Sequence, residues 1–126
     1  MNWIEAKALI AANVHSGTDL NTPDSTYRFV HSVEVPLTSR AYDYHHDLGF
    51  VVWIGKATKI KIPWKMLERC HEPLSQGRPY DGAFFRQHFP HQTKDHPCHV
   101  HVVGQFFVAA GLAHMVGDSY LPTKGV

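Results

Sequence analysis

PCHVHVVGQFFVAAG, residues 97–111, decides how this chain is read. Its first half, HVHVV, is β-branched and suits a strand. Its second half closes on Ala109, Ala110 and Gly111. Pro97 stands where a first helical turn accepts proline, and a glycine just past the last turn is a helix stop. The stretch reads as a helix, capped by Asp95 or His96. On that helix Val100, Val103, Phe107 and Ala110 share one face, while Val102, Phe106 and Ala109 cover much of the other. A helix apolar nearly all round is buried, either as the central core helix or against a second subunit. The polar stripe left over is Cys98, His101 and Gln105, spaced at three and four, and a buried polar stripe needs partners.

Working outward, Asn2 caps a predicted helix that runs to about His15, with Trp3, Ile4, Ile10 and Val14 at helical spacing. SGTDLNTPDS is turn chemistry. In TYRFVHSVEVP, Tyr27, Phe29, Val33 and Val35 alternate with Arg28, Ser32 and Glu34, which predicts a half-buried strand ended by Pro36. GFVVWIG and ATKIKI make two more strands about a Gly55–Lys56 corner. Pro63 opens a helix with Trp64, Leu67, Cys70, His71 and Leu74 on one face, ended by Pro73 and Gly77. Asp81 caps a short helix, GAFFRQHF, that stops at Pro90. The 97–111 helix follows, and a strand or hairpin about Gly117–Asp118 closes the chain. The expected fold is α+β over residues 1–126 as one domain: an N-terminal helix, a three-stranded antiparallel meander, three helices and a short C-terminal strand or hairpin.

The bulk numbers fit that picture. A chain of 126 residues buries roughly two-thirds of its unfolded surface, so it needs neither disulfides nor a metal simply to fold. Cys70 and Cys98 are too few for a disulfide framework and neither lies in a CxxC pair. The N-terminus has Glu5 early and no basic segment, so it does not read as a signal peptide. No apolar run approaches the length that spans a bilayer. No membrane association is expected, and the expected compartment is the cytoplasm. Lys56, Lys59, Lys61 and Lys65 form the one basic cluster, and Lys59 and Lys61 alternate with Ile60 and Ile62 as the wet face of a strand. Histidine is the outlier: protonating all eleven takes the net charge from +1 to +12.

Five of those histidines lie in HFPHQTKDHPCHVH, residues 88–101. His88, His91, Cys98 and His101 offer a mixed ligand set for zinc, but one pair straddles a proline and only one ligand is sulfur. The expectation is no metal and no cofactor, with a polar turn leading into a buried helix. A second constellation, SRAYDYHHDLG, lies between two predicted strands and holds Arg40, Tyr42, Asp43, Tyr44, His45, His46 and Asp47. Long loops of this kind often carry function, and arginine and tyrosine suit flat or anionic ligands. The candidate ligand-binding residues are therefore Arg40, Tyr42, Tyr44, His45 and His46, with Cys98, His101 and Gln105. No catalytic residue can be assigned.

Over its whole length the chain resembles the small orphan proteins of bacterial mobile gene cassettes, such as those carried by integrons. That resemblance assigns no functional residue. The residues themselves favour a small-molecule or peptide binding module that is a homo-oligomer through the 97–111 helix. One alternative is a winged-helix-like nucleic-acid-binding regulator. Nucleic acid is not the expected partner, because the 97–111 helix offers only Gln105 and histidines among valines and phenylalanines where a reader helix carries Arg, Lys, Asn or Gln. A second alternative is a His/Asp/Cys hydrolase, with or without zinc, although no orienting acid or oxyanion loop can be identified.

Overall fold

The computed structural model describes residues 1–37 and 47–123. Helix α1 (Trp3–Asn13) begins where Asn2 Oδ1 accepts the Glu5 amide at 2.9 Å, the expected cap. The core takes Ala6 and Ile10 from it, whereas Ile4 is 80% exposed and plays no part. Strands β1 (Phe29–Leu37), β2 (Asp47–Trp53) and β3 (Lys59–Pro63) form an antiparallel sheet with β2 in the centre. Helix α2 (Trp64–Ser75) follows β3 directly. Then come α3 (Gly82–His88), α4 (Pro90–Asp95), α5 (His99–Ala109) and a hairpin of β4 (Ala113–Val116) and β5 (Ser119–Pro122), turning at Gly117–Asp118. The α+β architecture and the element order are as expected, with one helix more than the three predicted after the sheet.

The extra helix corrects the reading of Pro90. A proline cannot continue α3, and α3 does end before it, but the same residue starts α4 as its first residue. The polar stretch 88–97 is therefore mostly helical and not a turn. The 97–111 stretch is a helix, as its glycine and alanines imply. Gly111 takes φ +75°, and Leu112 N–H reaches Phe107 C=O at 2.8 Å across it, the bonding that a left-handed glycine makes at a helix end. Cys98 precedes the first turn without a side-chain cap, so neither Asp95 nor His96 serves as predicted.

Strand β1 is where the sequence misleads. The alternation put Tyr27 and Phe29 inside and Arg28 outside. The structure has the reverse: Val30 is buried, while Tyr27 and Phe29 are 51% and 40% exposed. Register shifts between Val30 and Ser32 and between Ser32 and Val35 change the phase along the strand. Glu34 takes φ +53° at the second irregularity and accepts the Trp64 indole N–H at 2.9 Å. Pro36 does not end the strand, which runs on to Leu37. It is tolerated because β1 lies at one edge of the three-stranded sheet.

The inner face of the sheet supplies Val30, Phe50, Val52, Ile60 and Ile62 to one core, which α1, α2 and α5 cover. Phe50 sits at its centre, its ring edge-on to both Trp64 (5.0 Å between centroids) and Phe106 (4.8 Å). Helix α5 contributes Val100, Val102, Val103, Phe106 and Phe107, all buried. Its all-round apolar character is thus satisfied within a single chain. On the outer face, Lys59 lies over the Trp53 ring at 4.9 Å, the solvated position expected of it. No helix among the described residues is long and apolar enough to cross a membrane.

Candidate functional site

Helix α5 carries the polar stripe that the sequence singled out, and the partner of that stripe is Tyr120 of β5. His101 Nδ1 is 3.0 Å from the Tyr120 hydroxyl, and Gln105 Nε2 donates to the same oxygen at 3.4 Å. The Tyr120 hydroxyl also lies 3.5 Å from the His101 carbonyl oxygen, to which it donates, so one phenol ties together the backbone and ring of His101 and the amide of Gln105. Burial and the nearby positive charge of Arg28 both hold the His101 pKa below its ordinary value, against the pull of Asp118 and Asp24. His101 is therefore a neutral side chain at neutral pH.

A second tyrosine fixes the hairpin to the helices. Tyr80, in the connection between α2 and α3, exchanges both backbone hydrogen bonds with Tyr120, at 2.9 and 2.8 Å. Its hydroxyl donates to Val100 C=O at 2.8 Å in the core. This pairing brings the start of α3 beside the hairpin turn and the start of α5. Between them lies a surface cleft of about 650 Å³, within the range of small-molecule sites.

Four chain segments wall the cleft: Arg28 ahead of β1; Asp81, Gly82 and Arg86 at the start of and on α3; Pro97 and Cys98 just before α5 with Val100 and His101 on it; and Asp118 and Ser119 in the hairpin. Arg28 is the residue that sequence reading missed. Its position follows from the inverted phase of β1, which turns Arg28 and Val30 inward together. Its backbone is held on both sides, with Arg28 N–H donating to Asn21 Oδ1 at 2.8 Å and Arg28 C=O accepting Leu20 N–H at 2.9 Å. Arg28 lines the cleft with Cys98 and His101, and its positive charge opposes the upward pKa shift of the Cys98 and Tyr120 groups and lowers the pKa of His101.

The acidic groups of the cleft are unequal. Asp81 is committed to the fold, its carboxylate accepting the Phe84 amide at 2.9 Å as the cap of α3. Asp118 sits exposed in the hairpin turn. Burial pushes the Cys98 thiol up, with Arg28 opposing, so the group is a thiol at neutral pH and not a thiolate. Cys70 is fully buried beside Tyr80 and lies outside the cleft.

Cys98 and His101 share the cleft, and Gln105 lies behind His101 on Tyr120. His88 packs on Phe84 at the far end of α3 and borders a different hollow, with Pro73 and Arg78. His91 is on α4. Among the described residues no three of His, Cys, Asp and Glu are placed to hold a metal ion, so His88, His91, Cys98 and His101 do not converge. Arg40, Tyr42, Tyr44, His45 and His46 lie outside the described residues. Asp47, at the end of that loop, serves the fold. Its carboxylate accepts the Lys65 amide at 2.9 Å and caps α2 from the neighbouring strand, where Pro63 offers no cap of its own.

No family model, curated protein or solved structure matches the chain.

Proposed function

We propose that this protein is a small-molecule binding module and that its ligand occupies the cleft between Arg28, α3, the start of α5 and the β4–β5 turn. One observation carries the reading. Residues from four separated parts of the chain converge on one cleft of metabolite size, and among the described residues neither Arg28 nor Arg86 is ion-paired there. Arg86 and Asp118 are exposed at its surface, and Arg28, Ser119 and the neutral His101 are half-buried.

The chemistry of the walls favours binding over turnover. A Cys–His nucleophile requires a thiolate, and burial disfavours the thiolate of Cys98. His101 spends Nδ1 on Tyr120, a neutral partner rather than the acid that orients a catalytic base. Reading of a DNA groove by α5 is disfavoured as well, because Val100, Val102, Val103, Phe106 and Phe107 are buried by the chain's own core. The same burial meets the need that pointed to a second copy along this helix, so the binding reading does not require an oligomer.

A fragment library titrated into ¹⁵N-labelled protein tests the reading. Ligands are expected to move the backbone amide signals of Gly82, Val100, His101 and Ser119 as one group. A library in which every hit maps elsewhere, or in which none binds, would remove the cleft as the site.

A further inference from the structure

The cleft holds an arginine that no carboxylate among the described residues pairs with. Arg28 Nη1 is shut away from solvent and has no hydrogen-bond partner, the one such side-chain atom among the described residues. Among those residues neither Arg28 nor Arg86 has a carboxylate within ion-pair distance. Burying part of a guanidinium without a partner is costly, and folded proteins rarely leave such groups unmatched. The neighbours of Arg28 do not relieve it. Cys98 is a thiol, His101 is neutral and Tyr120 is a phenol, so none supplies negative charge at neutral pH.

Among the carboxylates of the cleft, Asp81 is held by the Phe84 amide and Asp118 stands exposed in the hairpin turn. Nη1 itself is out of a ligand's reach, but Arg28 lines the cleft together with Arg86, and among the described residues neither is ion-paired, so the positive charge of the two is open to an anion that arrives with the ligand. We propose that the ligand is a small molecule bearing a carboxylate or phosphate group, that Arg28 takes its anionic oxygens, and that Arg86 faces the same group from α3. The planar fork of a guanidinium matches either oxyanion. Asp118 across the cleft then favours a ligand whose other end carries a hydrogen-bond donor.

This inference rests on the small-molecule reading of the cleft, and the test separates the two. Matched pairs are titrated into ¹⁵N-labelled protein: benzoate against benzamide, succinate against succinamide, and glycerol phosphate against glycerol, with inorganic phosphate alone. The acids are expected to perturb Gly82, Val100 and Ser119 with affinities at least about tenfold above their neutral partners, as a charge-assisted hydrogen bond supplies. The carboxylate and phosphate arms show which oxyanion is preferred. Arg28→Gln is expected to abolish the preference, and Arg28→Lys to retain part of it. Acids and neutral partners that bind the cleft equally would overturn the anion inference and leave the small-molecule reading standing. No perturbation by any member of the panel would overturn both. The acid–neutral comparison uses the unaltered chain, so it decides the matter even where a variant folds poorly.

Discussion

The Tyr120 ring lies so close against Gly104 that a Cβ built on the glycine would fall 2.2 Å from ring carbons Cε2 and Cζ. Alanine is otherwise the better helix residue by about 1 kcal/mol, so packing, not helix propensity, accounts for glycine here. The ring cannot retreat easily, being buried and held at its hydroxyl by His101 and Gln105. Gly104→Ala is expected to cost about 2 kcal/mol or more in urea unfolding, as overpacking does. In a Tyr120→Leu background the same change should cost far less. An equal cost in both backgrounds would mean that the glycine serves something other than the tyrosine ring.

The two tyrosine hydroxyls should differ in worth. That of Tyr80 is in the core, donating to Val100 C=O at 2.8 Å, and burial raises its pKa strongly. That of Tyr120 meets the His101 ring and the Gln105 amide, and burial raises its pKa less strongly. Tyr80→Phe leaves a buried carbonyl without that donor and is expected to cost about 1–2 kcal/mol. Tyr120→Phe should cost about half as much. Its main effect should be on the tautomer of His101, read from the ring ¹⁵N shifts. The reverse order of stabilities would show that the Tyr120 hydroxyl is the main attachment of the hairpin.

How much of this was legible in the sequence depends on whether the signal was local. Asn2, Gly111 and the polar stripe on α5 are local, and each acts as its chemistry implies. The helix period, with Ala109, Ala110 and Gly111, rightly outweighed the β-branched HVHVV, because α5 is buried on most sides and packing overrides propensity there. Arg28 was illegible because its orientation depends on register shifts further along β1, and a simple alternation carries no sign of a shift. Tyr120 was illegible as the partner of the stripe because the pairing spans 19 residues. Gly104 did leave a trace: a glycine inside a helix, three residues on from His101 and so beside it on the helix surface, marks a close neighbour.

The histidine content has one consequence for stability that can be assigned to a residue. His99 is only 4% exposed, and burial lowers its pKa to about 4 despite the hydrogen bond between its Nδ1 and His96 C=O. Its folded pKa lies below the unfolded value near 6.5, so the unfolded chain binds the extra proton in acid. The stabilising contribution is complete above about pH 6.5 and is lost as pH falls from there toward 4, by roughly 3 kcal/mol. His71 and His101, also shifted down, act in the same direction. Urea unfolding at pH 7, 6, 5 and 4 should show this decline, and His99→Gln should flatten part of it. A variant that declines as steeply as the parent would clear His99 of the effect.

Arg28 should behave as a residue kept for binding and not for folding. Its partly buried guanidinium has a nitrogen without a partner among the described residues, and such a group subtracts from stability until something pairs with the charge. Arg28→Gln removes the charge and keeps the backbone bonds to Asn21 and Leu20. In the absence of ligand the variant is expected to be as stable as the parent or up to about 1 kcal/mol more stable, the trade often found where a site is held in a strained or unpaired state. With a saturating acid the order should invert, because only the parent gains binding free energy that the unfolded chain lacks. Thermal and urea unfolding of both proteins, with and without the acid, supplies all four values. A loss of more than about 1 kcal/mol in the ligand-free variant would place Arg28 among the residues that hold the fold together.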